Sequence, residues 1–399
     1  MYQLYCRIYQ NIFKLVSYFL PFRKPNLIEG QGSLSRLPDV VSSNGIHNVI
    51  IVTDRVIVSL GLIDRLLEGF RNKDIKYVVY DATVPNPTID NIEEALVLYK
   101  KHYCKGIIAF GGGSPMDCAK GVAARLARPN KTIPQLKGLF KVIKAIPPLY
   151  AIPTTSGTGS EATIAAVITN SKTHEKYAIN DTALIPHYAV LDPKLTLALP
   201  QHITSTTGMD ALTHAVEAYI GRSNTTETKT MSKTAVKLIM DNIYEAYKNG
   251  TNIVARENMQ KASYYGGIAF TRAYVGNVHA IAHTLGGFYG TPHGLANAVI
   301  LPYVLKSYGS SVYEKLSELE DLITVPSQQE KSETKANRFI DRIIELNKKM
   351  NIPDKISGIK EEDISIMVER AFQEANPLYP VPKIFTRDDF KAIYYEIKE

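Results

Sequence analysis

A chain of 399 residues, 45% hydrophobic and 21% charged, has apolar content for a large core and room for two domains, a composition ordinary for a soluble globular protein that does not indicate disorder. Its net charge of +7, from 46 Lys and Arg against 39 Asp and Glu, includes no basic block interleaved with aromatics, so no nucleic-acid partner is expected. Cys6, Cys104 and Cys118 are too few and too scattered for a disulfide framework, which fits a reducing cytoplasm.

Residues 1–25 stand apart. Leu4, Ile8, Ile12, Leu15, Val16 and Phe19 fall on one helical stripe, Arg7, Gln10, Asn11, Lys14 and Ser17 fall largely elsewhere, and no acid precedes Glu29. The stretch is too interrupted to span a bilayer and lacks a signal-peptide cleavage pattern. It reads equally as an interfacial helix on an anionic membrane surface or as a helix packed on a neighbouring subunit. Pro21 and Pro25 are expected to end it.

From about Glu29 to Pro200 apolar runs alternate with helical patterns. Strands are expected at 48–53, 76–80, 106–110 and 148–153, the first three each followed by a helix-like segment, which predicts a parallel sheet with covering helices. Asp54 follows the first strand, where an acid can accept from adenosine ribose hydroxyls and repel a 2′-phosphate, favouring NAD over NADP. It could equally be a helix N-cap.

The run GIIAFGGGSPMDCAKGVA takes a strand into three glycines and opens a helix at Ser114, Pro115 and Asp117. Glycines let backbone approach a pyrophosphate, and amides at a helix start favour its charge. Ser114 with Asp117 also reads as a capping box. The run departs from G-x-G-x-x-G, and alone it weighs evenly between a nucleotide loop and a tight βα connection. In AIPTTSGTGSEAT (151–163) a strand ends among hydroxyls and glycines. Thr154, Thr155 and Thr158 could bond phosphate or ribose there, although alone the stretch reads as a polar loop.

From about residue 201 strand signals nearly vanish, and helical periods cover 203–220, 228–248, 253–270, 333–349 and 361–374. The expected organisation is an amphipathic helix (1–25), a Rossmann-like α/β domain (26–200) and an all-helical domain (201–399). GMDALTHAVEAY places Asp210 and His214 four apart, and NVHAIAHTLGGFYGTPH places His279 and His283 likewise, so each pair shares a helix face. The second helix is expected to stop near Gly286 and Gly287, leaving His293 on the returning turn. One carboxylate and three imidazoles from these stretches suit a divalent transition metal with a position open for substrate. A single such residue is more often a buried polar group satisfied by backbone; two spaced pairs and a turn histidine favour the metal.

PNPT (85–88), GGGSPMD, PTTSGTGSEAT, GMDALTHAVEAY and HAIAHTLGGFYGTPHG come in the order and spacing of the iron-containing (group III) alcohol dehydrogenases, which include lactaldehyde reductase, 1,3-propanediol dehydrogenase and butanol dehydrogenases. The chain resembles that family from roughly residue 26 onward. The resemblance implies a dehydroquinate synthase-like fold in which an α/β NAD-binding domain precedes an all-α metal-binding domain. It implies Asp210, His214, His279 and His293 as metal ligands and His283 beside nicotinamide and substrate, relaying a proton or orienting substrate. The implied cofactor positions are Asp54, Asn86, Gly112, Gly113, Ser114, Asp117, Thr154, Thr155, Thr158 and Lys176. Phe270 reads as a pocket wall or, equally, as core packing.

The implied reaction is hydride transfer between a primary alcohol or diol, or the matching aldehyde, and NAD(H), with the metal as Lewis acid. The family points to Fe²⁺; Zn²⁺ is the alternative, since it binds N/O ligands more tightly. A zinc-dependent polyol (glycerol-type) dehydrogenase is a rival, disfavoured by GMDALTHA and HAIAHTLGGF. A non-catalytic membrane-surface scaffold using residues 1–25 is disfavoured by the intact ligand set. A homodimer or larger assembly is expected in the cytoplasm, with peripheral membrane contact through residues 1–25.

Overall fold

Runs such as NVIIV and GIIAFG have no polar face, so a sheet made of them needs cover on both sides. The computed structural model describes residues 1–172, 175–325 and 329–399. It divides into two units, Pro21–Ala198 on one hand and Met1–Leu20 with Leu199–Glu399 on the other.

After helix α1 (Tyr2–Tyr18), the α/β unit begins with β1 (Asn26–Glu29), α2 (Leu37–Ser43), β2 (Asn48–Val52), α3 (Arg55–Ser59) and α4 (Asp64–Arg71). It continues through β3 (Lys76–Tyr80), α5 (Ile89–Lys101), β4 (Gly106–Gly111), α6 (Gly113–Ala127), α7 (Ile133–Leu136) and β5 (Gly138–Leu139). It closes with β6 (Leu149–Pro153), β7 (Ala165–Thr169), β8 (Lys176–Asn180) and β9 (Tyr188–Leu191).

The main sheet has the order β1-β9-β6-β4-β2-β3, with every neighbouring pair parallel. Successive side chains of a strand point to opposite faces, so β2 and β4 feed two cores. Ile50, Val52, Ile107 and Ala109 meet Ile92 and Leu96 of α5 and Met116 and Val122 of α6. Val49, Ile51, Ile108 and Phe110 meet Leu37 and Val41 of α2 and Leu66 and Phe70 of α4. Because the strands run one way, β2, β4 and β6 release Asp54, the glycine turn and the 154–158 loop at one sheet edge, the edge where α/β sheets take ligands. The four expected strands are β2, β3, β4 and β6. β1 and β9 are only four residues each, and β7 and β8 form an antiparallel pair in a separate small sheet with β5.

The helical unit holds α8 (Gln201–Ile220), α9 (Thr226–Lys248), α10 (Ile253–Ala273), α11 (Asn277–Tyr289) and α12 (His293–Tyr308). It ends with α13 (Tyr313–Ile323), α14 (Ser332–Lys349), α15 (Glu361–Ala375) and α16 (Arg387–Ile397). α8 is buried on all sides from Gly208 to Ile220, as expected of a central helix in a bundle. Two expectations fail at α11. It runs through Gly286 and Gly287 and ends at Gly290, in the left-handed region at φ 66. Phe288 and Tyr289 pack against the core, and Tyr289 Oη donates to Asp363 Oδ2 at 2.8 Å, so tertiary contacts carry the helix past the glycine pair. His293 accordingly opens α12 instead of lying on a turn.

α1 ends at Tyr18, before Pro21, and packs on the helical unit. Arg7 donates to Val381 O and Pro382 O, both at 2.7 Å, and Gln10 Nε2 to Tyr379 O at 2.7 Å. Among the described residues no helix is long and apolar enough to cross a membrane.

Candidate metal centre and cofactor loops

Asp210 and His214 leave α8 one turn apart, where α11 and α12 bring His279 and His293. One potential ligand atom from each of the four lies within 4.8 Å of the others. Gly294 makes the approach possible: a Cβ there would sit 2.4 Å from Thr206 O of α8. Asp210, His214 and His279 are buried, while His293 is part-exposed.

Glu217, two turns along α8 from Asp210, fixes the orientation of His279. Its Oε2 lies 2.6 Å from His279 Nδ1, and its two oxygens accept from Gly276 N and Val278 N, both at 2.8 Å. Burial raises the Glu217 carboxyl, while these donors favour its charged form. Burial pushes His279 down to about 3. A neutral ring with Nδ1–H on the carboxylate leaves the Nε2 lone pair for a metal. Asn297 Nδ2 donates to Asp210 Oδ1 at 2.6 Å and lies 3.2 Å from Nε2 of both His279 and His293. An amide donor thus meets three of the four ligand groups, whose lone pairs converge. Three imidazole nitrogens and one carboxylate oxygen suit a borderline divalent ion rather than Ca²⁺ or Mg²⁺. The residues fit such an ion.

His283 lies outside this ligand group. Its ring stacks on His293 at 5.3 Å, and Nδ1 lies 2.6 Å from Glu374 Oε1, which also accepts from Tyr379 Oη at 2.7 Å. Burial raises the Glu374 carboxyl, but His283 and Tyr379 together hold it below its usual range. Phe270 stacks on the His214 ring at 4.2 Å and also packs against Ala218, Ala269 and Ala273. It is at once a wall beside the cluster and part of a small core.

In the α/β unit, Gly112 occupies the N-cap of α6, and no side chain caps the first turn. Its leading amides can therefore meet an anionic group. The capping box expected between Ser114 and Asp117 does not form. Ser114 Oγ accepts from Asn86 N at 3.2 Å, and Asp117 Oδ1 accepts from Ser160 Oγ at 3.1 Å. Asn86, at φ 56, accepts through Oδ1 from Lys176 Nζ at 2.9 Å, so the PNPT loop is tied to both the glycine turn and β8. Thr154 N donates to Gly111 O at 3.0 Å, and Thr158 Oγ1 accepts from Ser160 N at 3.3 Å. The hydroxyl loop closes over the glycines: a Cβ on Gly112 would lie 3.4 Å from Thr155, and one on Gly113 only 2.9 Å from Thr158 Cγ2. Asp54 caps α3, accepting from Ile57 N at 3.0 Å. This is the N-cap arrangement, made through one carboxylate oxygen. Uncapped amides, close-packed glycines and hydroxyls along one edge fit an anionic dinucleotide.

Sequence reasoning missed Lys120, Glu217, Asn297, Glu374 and Tyr379. Lys120, fully buried, donates to Ser160 Oγ at 3.1 Å and to Thr163 O, Thr163 Oγ1 and Ala165 O, each at 2.9 Å, pinning the hydroxyl loop to α6. Burial lowers its amine to about 8 and raises Asp117 to about 6. Glu217 had a readable signal, because positions 210, 214 and 217 share one helix face.

Residues 25–193 match the family described as "Iron-containing alcohol dehydrogenase" and residues 204–397 "Fe-containing alcohol dehydrogenase family, C-terminal". The chain is 37% identical over 370 residues to alcohol dehydrogenase 4 of Schizosaccharomyces pombe, covering 92% of this chain and 86% of that protein. It is 36% identical over 371 residues to 1,3-propanediol dehydrogenase of Citrobacter freundii, covering 91% and 94%. Among solved structures, a 1,3-propanediol oxidoreductase matches with a TM-score of 0.90 at 32% identity, covering 95% of this chain and all 100% of that one. Sulfoacetaldehyde reductase from Bifidobacterium kashiwanohense, in complex with NAD+, matches with a TM-score of 0.84 at 28% identity, covering 95% and 98%.

Proposed function

The chain belongs to the iron-containing alcohol dehydrogenase family, and from that premise we propose the residues through which it works and the substrates it takes. It is an NAD-dependent oxidoreductase interconverting alcohols and aldehydes. Asp210, His214, His279 and His293 hold a ferrous ion, and the convergence of their four ligand atoms is the observation that carries the proposal. The ferrous ion supplies Lewis acidity toward the substrate oxygen, and NAD supplies the hydride acceptor.

The remaining roles belong to the chain's own side chains. Glu217 keeps His279 in the tautomer with Nδ1 protonated. Glu374 does the same for His283, leaving Nε2 as the basic nitrogen that accepts the substrate hydroxyl proton. Phe270 presents an apolar ring beside His214, which suits the carbon chain of a short primary alcohol or diol. In the other unit, the amides at the start of α6 bind the pyrophosphate, while Asn86, Ser114 and Lys176 form one hydrogen-bonded set beside them. Asp117, with Thr154, Thr155 and Thr158, shapes the opposing loop, and Asp54 accepts from the adenosine ribose through the oxygen not used in its cap. The three cysteines are buried and unbonded, in keeping with a reducing cytoplasm. The edge position of β1 offers backbone on which a second copy could add, which supports a homo-oligomer.

The test is NADH formation by chelator-stripped protein before and after anaerobic addition of Fe²⁺ or Zn²⁺, with a panel of short primary alcohols and diols. Turnover restored by Fe²⁺ is expected. Turnover restored by Zn²⁺ alone would reassign the ion, and turnover unaffected by stripping would remove the four residues from the mechanism.

A further inference from the structure

The first helix docks on the body and still leaves an aliphatic stripe in water. An amphipathic surface helix normally buries its apolar stripe and shows its polar side. In α1 the docked face is mixed: Cys6 is fully buried and Phe13 packs on Tyr274, while Arg7 and Gln10 reach carbonyls of Pro377–Pro382 and Lys14 Nζ donates to Arg222 O at 2.9 Å. Leu4, Ile8, Ile12, Leu15, Val16 and Phe19 are left outward, each at least 51% exposed and Phe19 78%. Isolated apolar residues on a surface are ordinary, but a continuous stripe is not. The family match begins only at residue 25, so the helix lies outside the matched region.

Charge distinguishes between the kinds of surface that could cover this stripe. α1 carries Arg7 and Lys14 and no acid. Lys14, Arg222 and Lys229 lie close enough to Lys315 that, after burial, all three lower its amine, with Glu318 acting in the opposite sense. Arg272 lies over the Tyr18 ring at 6.0 Å. The acids in the same region are paired: Glu227 with this Arg272, Glu318 with Lys233 and Glu369 with Arg387. Tyr5 and Tyr18, both exposed, flank the stripe with rings of the kind that sit at a headgroup boundary.

We propose that α1 is a docking face for an anionic lipid surface. The aliphatic stripe enters the boundary between headgroups and acyl chains, and the cations beside Lys14 face lipid phosphates and carboxylates. A second copy of this chain suits the face less well, because an isologous contact would set cation against cation with no acid on α1 to answer.

The experiment is flotation of the full-length protein with vesicles of phosphatidylcholine, with or without phosphatidylserine, at low and high salt. Binding is expected to need phosphatidylserine and to weaken as salt screens the cations. A double variant, Ile8→Gln with Leu15→Gln, is expected to bind about ten-fold more weakly or worse, with alcohol turnover and native mass unchanged, which also shows that it folds. Failure of the native protein to float, or binding indifferent to phosphatidylserine, overturns the proposal. A fall in native mass in the variant with vesicle binding intact also overturns it and assigns the stripe to a second copy.

Discussion

His279 Nδ1 lies 2.6 Å from Glu217 Oε2, a contact in which both side chains are almost wholly buried. Glu217→Gln keeps the shape and an acceptor oxygen but removes the charge that favours the Nδ1–H tautomer. Metal affinity is expected to fall by about 10- to 100-fold, read by competition with a chelator of known affinity, while NAD binding stays as it was. Unchanged metal affinity would make Glu217 a structural acid only.

Removing a ligand should have a larger effect. His279→Ala is expected to lose bound metal, measured by elemental analysis, together with turnover. NADH binding, followed by its fluorescence, should survive because the loops proposed to hold the dinucleotide lie in the other unit. Undiminished activity would rule out the ligand assignment.

Glu374→Gln and Tyr379→Phe act on His283 without touching the four proposed ligands. Each should lower kcat about ten-fold or more at unchanged metal content, and the pH profile of kcat should shift. A change confined to KM would make His283 an orienting group for substrate.

Lys120→Met replaces an amine holding four acceptors with an apolar chain of similar length. The stranded carbonyls and the nearby Asp117 should cost about 3 kcal/mol, seen as a lower urea midpoint. KM for NAD should rise as the 154–163 loop loosens. Stability equal to that of the native protein would contradict the pinning role.

His187 gives a pH dependence within the α/β unit. Its Nδ1 accepts from Leu149 N at 3.1 Å, and burial, helped by Arg23, lowers the imidazole to about 4 from an ordinary 6.5. The unfolded chain takes up this proton first as pH falls. The contribution is therefore complete above pH 6.5 and lost as pH drops toward 4, on the order of 2 kcal/mol once partial solvent access is allowed for. Urea midpoints from pH 7 down to 4 should show a loss that His187→Gln reduces.

The residues visible in the sequence belong to short local patterns. Asp210 and His214 recur within one helix, and Gly112, Gly113 and Ser114 mark one turn. The residues that orient them are distant in the chain: Glu217 and His279 are 62 positions apart, His283 and Glu374 91, Lys120 and Thr163 43. No local spacing rule reaches that far. The misplaced end of α11 has the same origin, since the glycine pair gives a local stop signal and the packing of Phe288 and Tyr289 is tertiary. Ser114 and Asp117 have the spacing of a capping box, yet each side chain finds a partner on another loop.

Asp210, His214 and Glu217 all ride on α8. Deleting or inserting one residue between His214 and Glu217 would swing the C-terminal part of the helix by about 100° around its axis, turning the carboxylate that steadies His279 away from the two proposed ligands that share its helix. The centre is thus less sensitive to most changes of side chain along α8 than to any change in its length, and a one-residue deletion there is expected to disarm the enzyme while leaving every proposed ligand in the chain.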